Sequence, residues 1–308
     1  MALPDHLQQL AAKVSNAGRW GPDDQRGTLN LVDAAAVLRG VAAARQGKVF
    51  SLAIPFDEDG PQTGQVRGRE NPARRMLAVN APYTGDPSDF CASDDALAMG
   101  VQAATHWDAL AHVSYGGRLY NGVDAGVVGE SGAARLGIEQ FGPVVTRGVL
   151  ADVAAVHGVD HFDDGYAVTG GDLEAATAGR GVPIEPGDAL LVRTGQMHFL
   201  RAGDKARFSN PSPGLSTRSV EWLRDHDVAA VATDTLVFEV WPPEDPAALL
   251  PVHLLHLVDM GMPQGQLWAL DDLAADCAAD GQYDFLLAAT PLPLTGGVGG
   301  PVAPTAVK

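Results

Sequence analysis

Short apolar runs alternate with helical repeats along the chain, and no other feature constrains its fold as tightly. The runs "GVLADVAAV" (148–156), "DALLVRTG" (188–195), "VAAVATD" (228–234) and "DFLLAATPL" (284–292) are rich in Val and Leu. Each is bounded by Gly, Pro or Asp, which predicts strands. Between them "VDAAAVLRGVAAARQG" (32–47), "STRSVEWLRDH" (216–226) and "LDDLAADCAADG" (270–281) predict helices. The first has Asp33 as N-cap and Gly47 as stop, and the others open with Ser216 and Asp271. Leu7, Leu10, Ala11 and Val14 recur at helical spacing near the start. Strands that are apolar throughout need cover on both faces. The pattern therefore predicts an α/β fold, and 308 residues suffice for one large domain or two closely packed ones.

Two long polar stretches, 57–75 and 81–95, read as loops of the kind that line binding sites. Apolar residues make up 46% and charged residues 19% of the chain, a globular balance. The apolar runs are far shorter than the ~20 residues a membrane helix needs. The first residues lack the basic stretch and apolar core of a secretion signal. With 21 basic against 38 acidic side chains the net charge is −17, which disfavours nucleic acid as a partner. Cys91 and Cys277 stand apart, as expected in a reducing cytoplasm, and Cys277 reads as a buried helix residue.

The chemistry concentrates in "QAATHWDALAH" (102–112), where Gln102, His106, Asp108 and His112 sit at even offsets. In extended backbone such positions share a face, whereas a helix would turn His106 and Asp108 apart. Gln102 and His106 would be ~13 Å apart on a straight strand, so co-ligation requires a bend at Ala103–Thr105. Imidazole, carboxylate and amide oxygen form a shell that could hold Zn²⁺ or Mn²⁺, with His112 as a free imidazole beside it. The same residues could instead be the polar seam of a packed strand.

"QAATHWDALAH" resembles the H-x-G-T-H-x-D-x-P-x-H signature of the cyclase family of metal-dependent hydrolases, which includes kynurenine formamidases and isatin hydrolases. The blocks 19–32, 184–195, 228–240, 250–274 and 291–304 resemble that family's remaining blocks in order. The resemblance implies a single cyclase-family domain over 1–308, with a swivelling β/β/α core and helices packed outside. It implies a metal held by Gln102, His106 and Asp108, His112 as catalytic base, and a homodimer or higher homo-oligomer. The C-terminal histidine and glutamate of two-metal members match His253, or His256 with a one-residue shift, and Gln266. Gln102 stands where the family has histidine, Gln266 where it has glutamate, and Leu110 where it has proline. These departures imply one divalent ion, Zn or Mn, with His253, Gln266 and Trp107 contacting substrate or supporting the ligands.

The implied activity is hydrolysis of a C–N bond in a formamide, cyclic amide or related carbonyl compound. Lactone hydrolysis, a metal-dependent cyclase or dehydratase, and a binding protein on a decayed hydrolase scaffold are the alternatives. His157 and His161 read as solvated loop residues. Trp241 could wall a pocket or pack a core. Asp234, Thr235 and Glu239 close an apolar strand as binding groups or hydrogen-bond anchors, and Asn30 reads as a turn residue.

Overall fold

The computed structural model describes residues 3–308. In chain order the strands are β1 (Val49–Ser51), β2 (Ala73–Pro82), β3 (Cys91–Ala98), β4 (His106–Asp108) and β5 (Val128–Gly129). Then come β6 (Gly132–Ala133), β7 (Val145–Asp152), β8 (Ala167–Val168), β9 (Ala189–Arg193) and β10 (Gly214–Leu215). The last are β11 (Ala230–Thr233), β12 (Gln264–Gln266), β13 (Asp284–Ala288), β14 (Gly299–Pro301) and β15 (Thr305–Val307). Nine of them form one sheet in the order β1-β15-β13-β7-β9-β11-β12-β4-β14. Its centre is parallel, β7 to β9 to β11 to β12, and both flanks are antiparallel. The mixed α/β class expected from the alternation is the one observed.

The central strands bury both faces because their side chains alternate between two apolar clusters. Leu150, Leu191, Ala232 and Leu287 enter one cluster, with Trp107 and Trp268. Val149, Leu190, Val192 and Val231 enter the other, which also takes Ala11 and Val14 of the first helix, Asp5–Val14. The helix Ala34–Ala43 starts where the Asp33 carboxylate accepts the Ala36 N–H at 2.9 Å. A Cβ on Gly40 would lie 2.7 Å from the Thr146 backbone, so only glycine lets this helix seat on β7. It ends at Ala43 rather than at Gly47, because the N–H groups of Gln46 and Gly47 are drawn to the Lys308 carbonyl.

Two local readings are corrected. The run 148–156 is a strand only to Asp152; there the Asp152 carboxylate accepts the Ala155 N–H at 3.1 Å and starts a helical turn, Val153–Val156. The polar stretch 81–95 is a loop only over 83–90; its ends belong to β2 and β3, an antiparallel ribbon outside the main sheet. Solvent reaches both faces of this ribbon, so no one-sided alternation marks it in the sequence.

Candidate active site

β4 lies between β12 and β14, and its pairing places the polar residues. Gln266 is opposite His106 and Gln264 opposite Asp108, so these four side chains rise from one face. Trp107 points to the other face, where it meets Trp268 edge-on at 4.9 Å and donates its indole N–H to the Ala289 carbonyl at 2.8 Å. It is fully buried and packs in the core. The strand pattern thus separates the site residues from the core by single positions.

Ahead of β4 the chain turns through Ala103–Thr105, starting from the Ala103 N–H bonded to the Gly100 carbonyl at 2.9 Å. The Thr105 hydroxyl donates to the Leu267 carbonyl at 2.6 Å and accepts the Ile54 N–H at 2.9 Å, which pins the bend. Gln102 thereby reaches the Asp108 side of the sheet: a Cβ on Gly299, the β14 partner of Asp108, would lie 2.5 Å from Gln102 Nε2. His106 and Asp108 are buried, with His106 Nε2 and Asp108 Oδ1 3.5 Å apart. His112 Nε2 stands 3.6 Å from the same oxygen.

His253 ends the short helical turn Pro251–His253, which leads into a π-helical segment, Leu254–Met260. Glu239 accepts the Val252 N–H at 3.0 Å, the His253 N–H at 2.9 Å and the His253 Nδ1 proton at 2.6 Å. With Nδ1 protonated, His253 Nε2 carries a lone pair, and Gln266 Nε2 lies 3.3 Å from it. The same Gln266 nitrogen donates to Asp108 Oδ2 at 2.7 Å. Of the two registers open in the sequence, the structure therefore brings His253 to the site. His256 turns to Gln264 instead, 3.2 Å away, and burial pushes its pKa down to about 3, so it stays neutral.

Three bulky residues in left-handed backbone flank this network: Phe238 (φ 74°), Leu250 (φ 50°) and Leu267 (φ 63°). Each such residue costs about 1–3 kcal/mol and persists only where its surroundings hold it. They adjoin Glu239, the His253 turn and Gln266, the residues whose positions the site depends on.

Electrostatically the centre is an anion among imidazoles. Burial alone would raise the Asp108 pKa, but His112 and His106 together hold it below the usual carboxylate range. Burial lowers the pKa of His112, against the pull of Asp108, so at neutral pH its imidazole is an acceptor. His106 Nε2 and Asp108 Oδ1 are buried without hydrogen-bond partners, a costly arrangement that a cation between them would relieve. Among the described residues no group of three or more His, Cys, Asp or Glu side chains is arranged to hold a metal ion. The Gln102 amide lies on the same side of the sheet as this pair.

The Cyclase family model matches residues 50–240, a span that includes β4 and Glu239. The chain belongs to the Cyclase family. A crystal structure of a novel cyclase is 39% identical, with 97% of this chain and 99% of that one covered and a TM-score of 0.87. Isatin hydrolase A from Ralstonia solanacearum is 21% identical, with coverage of 88% and 95% and a TM-score of 0.61. A predicted metal-dependent hydrolase from Bacillus stearothermophilus is 17% identical, with coverage of 84% and 97% and a TM-score of 0.53. The last two likenesses show the cyclase-family fold. No curated protein matches the chain.

Other residues fall outside the site. His157 is an exposed partner of Asp172 at 2.8 Å, and His161 stacks on His198 with 4.2 Å between ring centroids. Asp234 accepts both backbone and hydroxyl protons of Thr194 and anchors the strand ends. The Asn30 amide donates to Asp24 Oδ1 at 2.7 Å within its turn. Burial pushes the Cys277 thiol up to about 12, which removes it as a nucleophile. Glu239 had one legible signal, an acid inside the apolar run "TLVFEV", but its partner His253 lies 14 residues on and is met only through the fold.

Proposed function

We propose that this protein hydrolyses a C–N bond in a formamide, cyclic amide or related carbonyl compound, using one divalent ion, Zn or Mn, held by His106, Asp108 and Gln102. The observation that carries this reading is the buried, unpartnered pair His106 Nε2 and Asp108 Oδ1 beside a neutral His112. When bound, such an ion lowers the pKa of a coordinated water from ~15.7 toward neutrality and polarises the scissile carbonyl. His112 takes the water proton at Nε2 as oxygen attacks the carbonyl carbon. It then delivers that proton to the departing nitrogen as the C–N bond breaks. Asp108, kept ionised, stabilises the imidazolium that His112 becomes between the two transfers. Glu239 and Gln266 keep His253 and Asp108 in place throughout.

The partners under this reading are a small-molecule substrate and a second copy of the chain, in the cytoplasm; nucleic acid and membranes are not among them. No helix among the described residues is long and apolar enough to cross a membrane. A binding protein on a decayed scaffold is the second reading, favoured by the neutral Gln102 and Gln266 and by the missing third ionic donor. One experiment separates the two. Purified protein, loaded with Mn²⁺ or Zn²⁺, is offered formamides, cyclic imides, lactams and lactones, and products are read by mass. His112→Ala is expected to lower kcat by ~10²–10⁴-fold while leaving bound metal unchanged. Absence of both bound ion and turnover would favour the binding protein, and metal loss in His112→Ala would make His112 a ligand.

A further inference from the structure

The polar stretch 57–75 is anchored to the run that leads into β4. Ile54, just ahead of it, is tied to Thr105 as described, Gln62 Nε2 donates to the Ala103 carbonyl at 3.0 Å, and the Gly100 N–H bonds to the Glu70 carbonyl at 3.3 Å. Within this strap the Arg69 stem lies across Gly100: a Cβ there would be 3.1 Å from Arg69 Cγ and 3.4 Å from its Cα. Gly100 is two residues from Gln102, so Arg69 sits at the rim of the site. Its charge acts on both Asp108 and His112.

Arg69 is half-buried, and among the described residues its guanidinium makes no ion pair or hydrogen bond. Asp108 does not serve it, because Oδ2 is taken by Gln266 and Oδ1 faces His106 and His112. Its nitrogens keep access to solvent, so they are open to a ligand, while partial burial without an acceptor weakens their hydration. Burial accordingly lowers its pKa from the ordinary arginine value, the Asp108 charge only partly opposing the shift. What would satisfy it is an anion arriving from outside the chain. The planar fork of five donors matches a carboxylate through two parallel hydrogen bonds.

We infer that Arg69 is the specificity-determining anchor for a carboxylate carried by the substrate, held at the rim while the scissile carbonyl lies over Asp108 and His112. This rests on the hydrolytic reading for the second half of the statement only; the anion site stands on the strap and the unpaired guanidinium.

Binding tests it without turnover. Acetate, benzoate and phenylacetate, each beside its neutral primary amide, are titrated calorimetrically into the protein, both after metal removal and after Mn²⁺ loading. In both states at least one carboxylate is expected to bind about 10–100-fold more tightly than its amide, the worth of a charge-assisted pair. Arg69→Gln should erase that preference, and Arg69→Lys, with charge but no fork, should retain part of it. Equal affinity for acid and amide in the unaltered protein, or an undiminished preference in Arg69→Gln, overturns the inference. A preference that appears only with Mn²⁺ and survives Arg69→Gln assigns the anion to the ion instead. Failure of the hydrolytic reading shows separately, as absence of product in the mass screen with carboxylate binding intact.

Discussion

The proposed one-ion count turns on a single amide nitrogen, that of Gln266. It stands 2.7 Å from Asp108 Oδ2 and 3.3 Å from His253 Nε2, so a neutral N–H fills the gap between a carboxylate and an imidazole. Gln266→Glu would face two carboxylates in a buried setting, where like charges disfavour joint ionisation. The metal-free variant is expected to melt below the unaltered protein. Mn²⁺ or Zn²⁺ should raise its Tm more than that of the unaltered protein, because ligand bound only by the folded state stabilises it. Elemental analysis should count about one ion per chain before the change and about two after it; two in the unaltered protein would end the one-ion reading. A second residue reports on pH. Burial, against a hydrogen bond from Tyr115, raises the Asp259 pKa from 3.8 to about 6. The folded form then holds the proton more tightly than the unfolded chain does, so stability from this group is present below about pH 4 and lost as pH rises through about 6. Asp259→Asn is expected to raise Tm above pH 6 and to make little difference near pH 4. Thermal melts across that range decide it, and a gain confined to acid would refute the assignment.

Among the elements, the ribbon of β2 and β3 is the one whose exposure asks for an explanation. Leu77, Val79, Tyr83 and Phe90 are exposed, and the Tyr83 and Phe90 rings meet edge-on at 5.3 Å. Two-stranded ribbons alone are marginal in water, and an apolar surface of this kind marks an interface. β2 carries Arg74 and Arg75 and β3 carries Asp94 and Asp95, so a two-fold axis can set the basic strand of one copy against the acidic strand of another. The protein should therefore sediment as a dimer, and Tyr83→Asp with Phe90→Asp should give monomers. A monomeric unaltered protein would remove the ribbon as a self-association surface.

For the whole molecule, the pairing of β1 with β15 joins residues 49–51 to 305–307, and β4 is clasped between β12 and β14 from the C-terminal part of the chain. A sheet built from segments so far apart in sequence is expected to unfold as one unit, giving a single calorimetric transition in the metal-free protein. Two separate transitions would divide the chain into independent domains.

The sequence by itself determined the α/β class, the strands β9, β11 and β13, and the candidate cluster Gln102, His106, Asp108 and His112. These are consequences of local periodicity: apolar runs declare buried strands, and even spacing places side chains on one face. Only tertiary structure decided that His253 rather than His256 reaches Gln266, that Glu239 holds His253, and that Trp107 turns into the core. It also decided that Arg69 comes to rest across Gly100. Each of these depends on register between strands or on packing of a loop segment, and contacts between residues a dozen or more positions apart leave no period for the sequence to display.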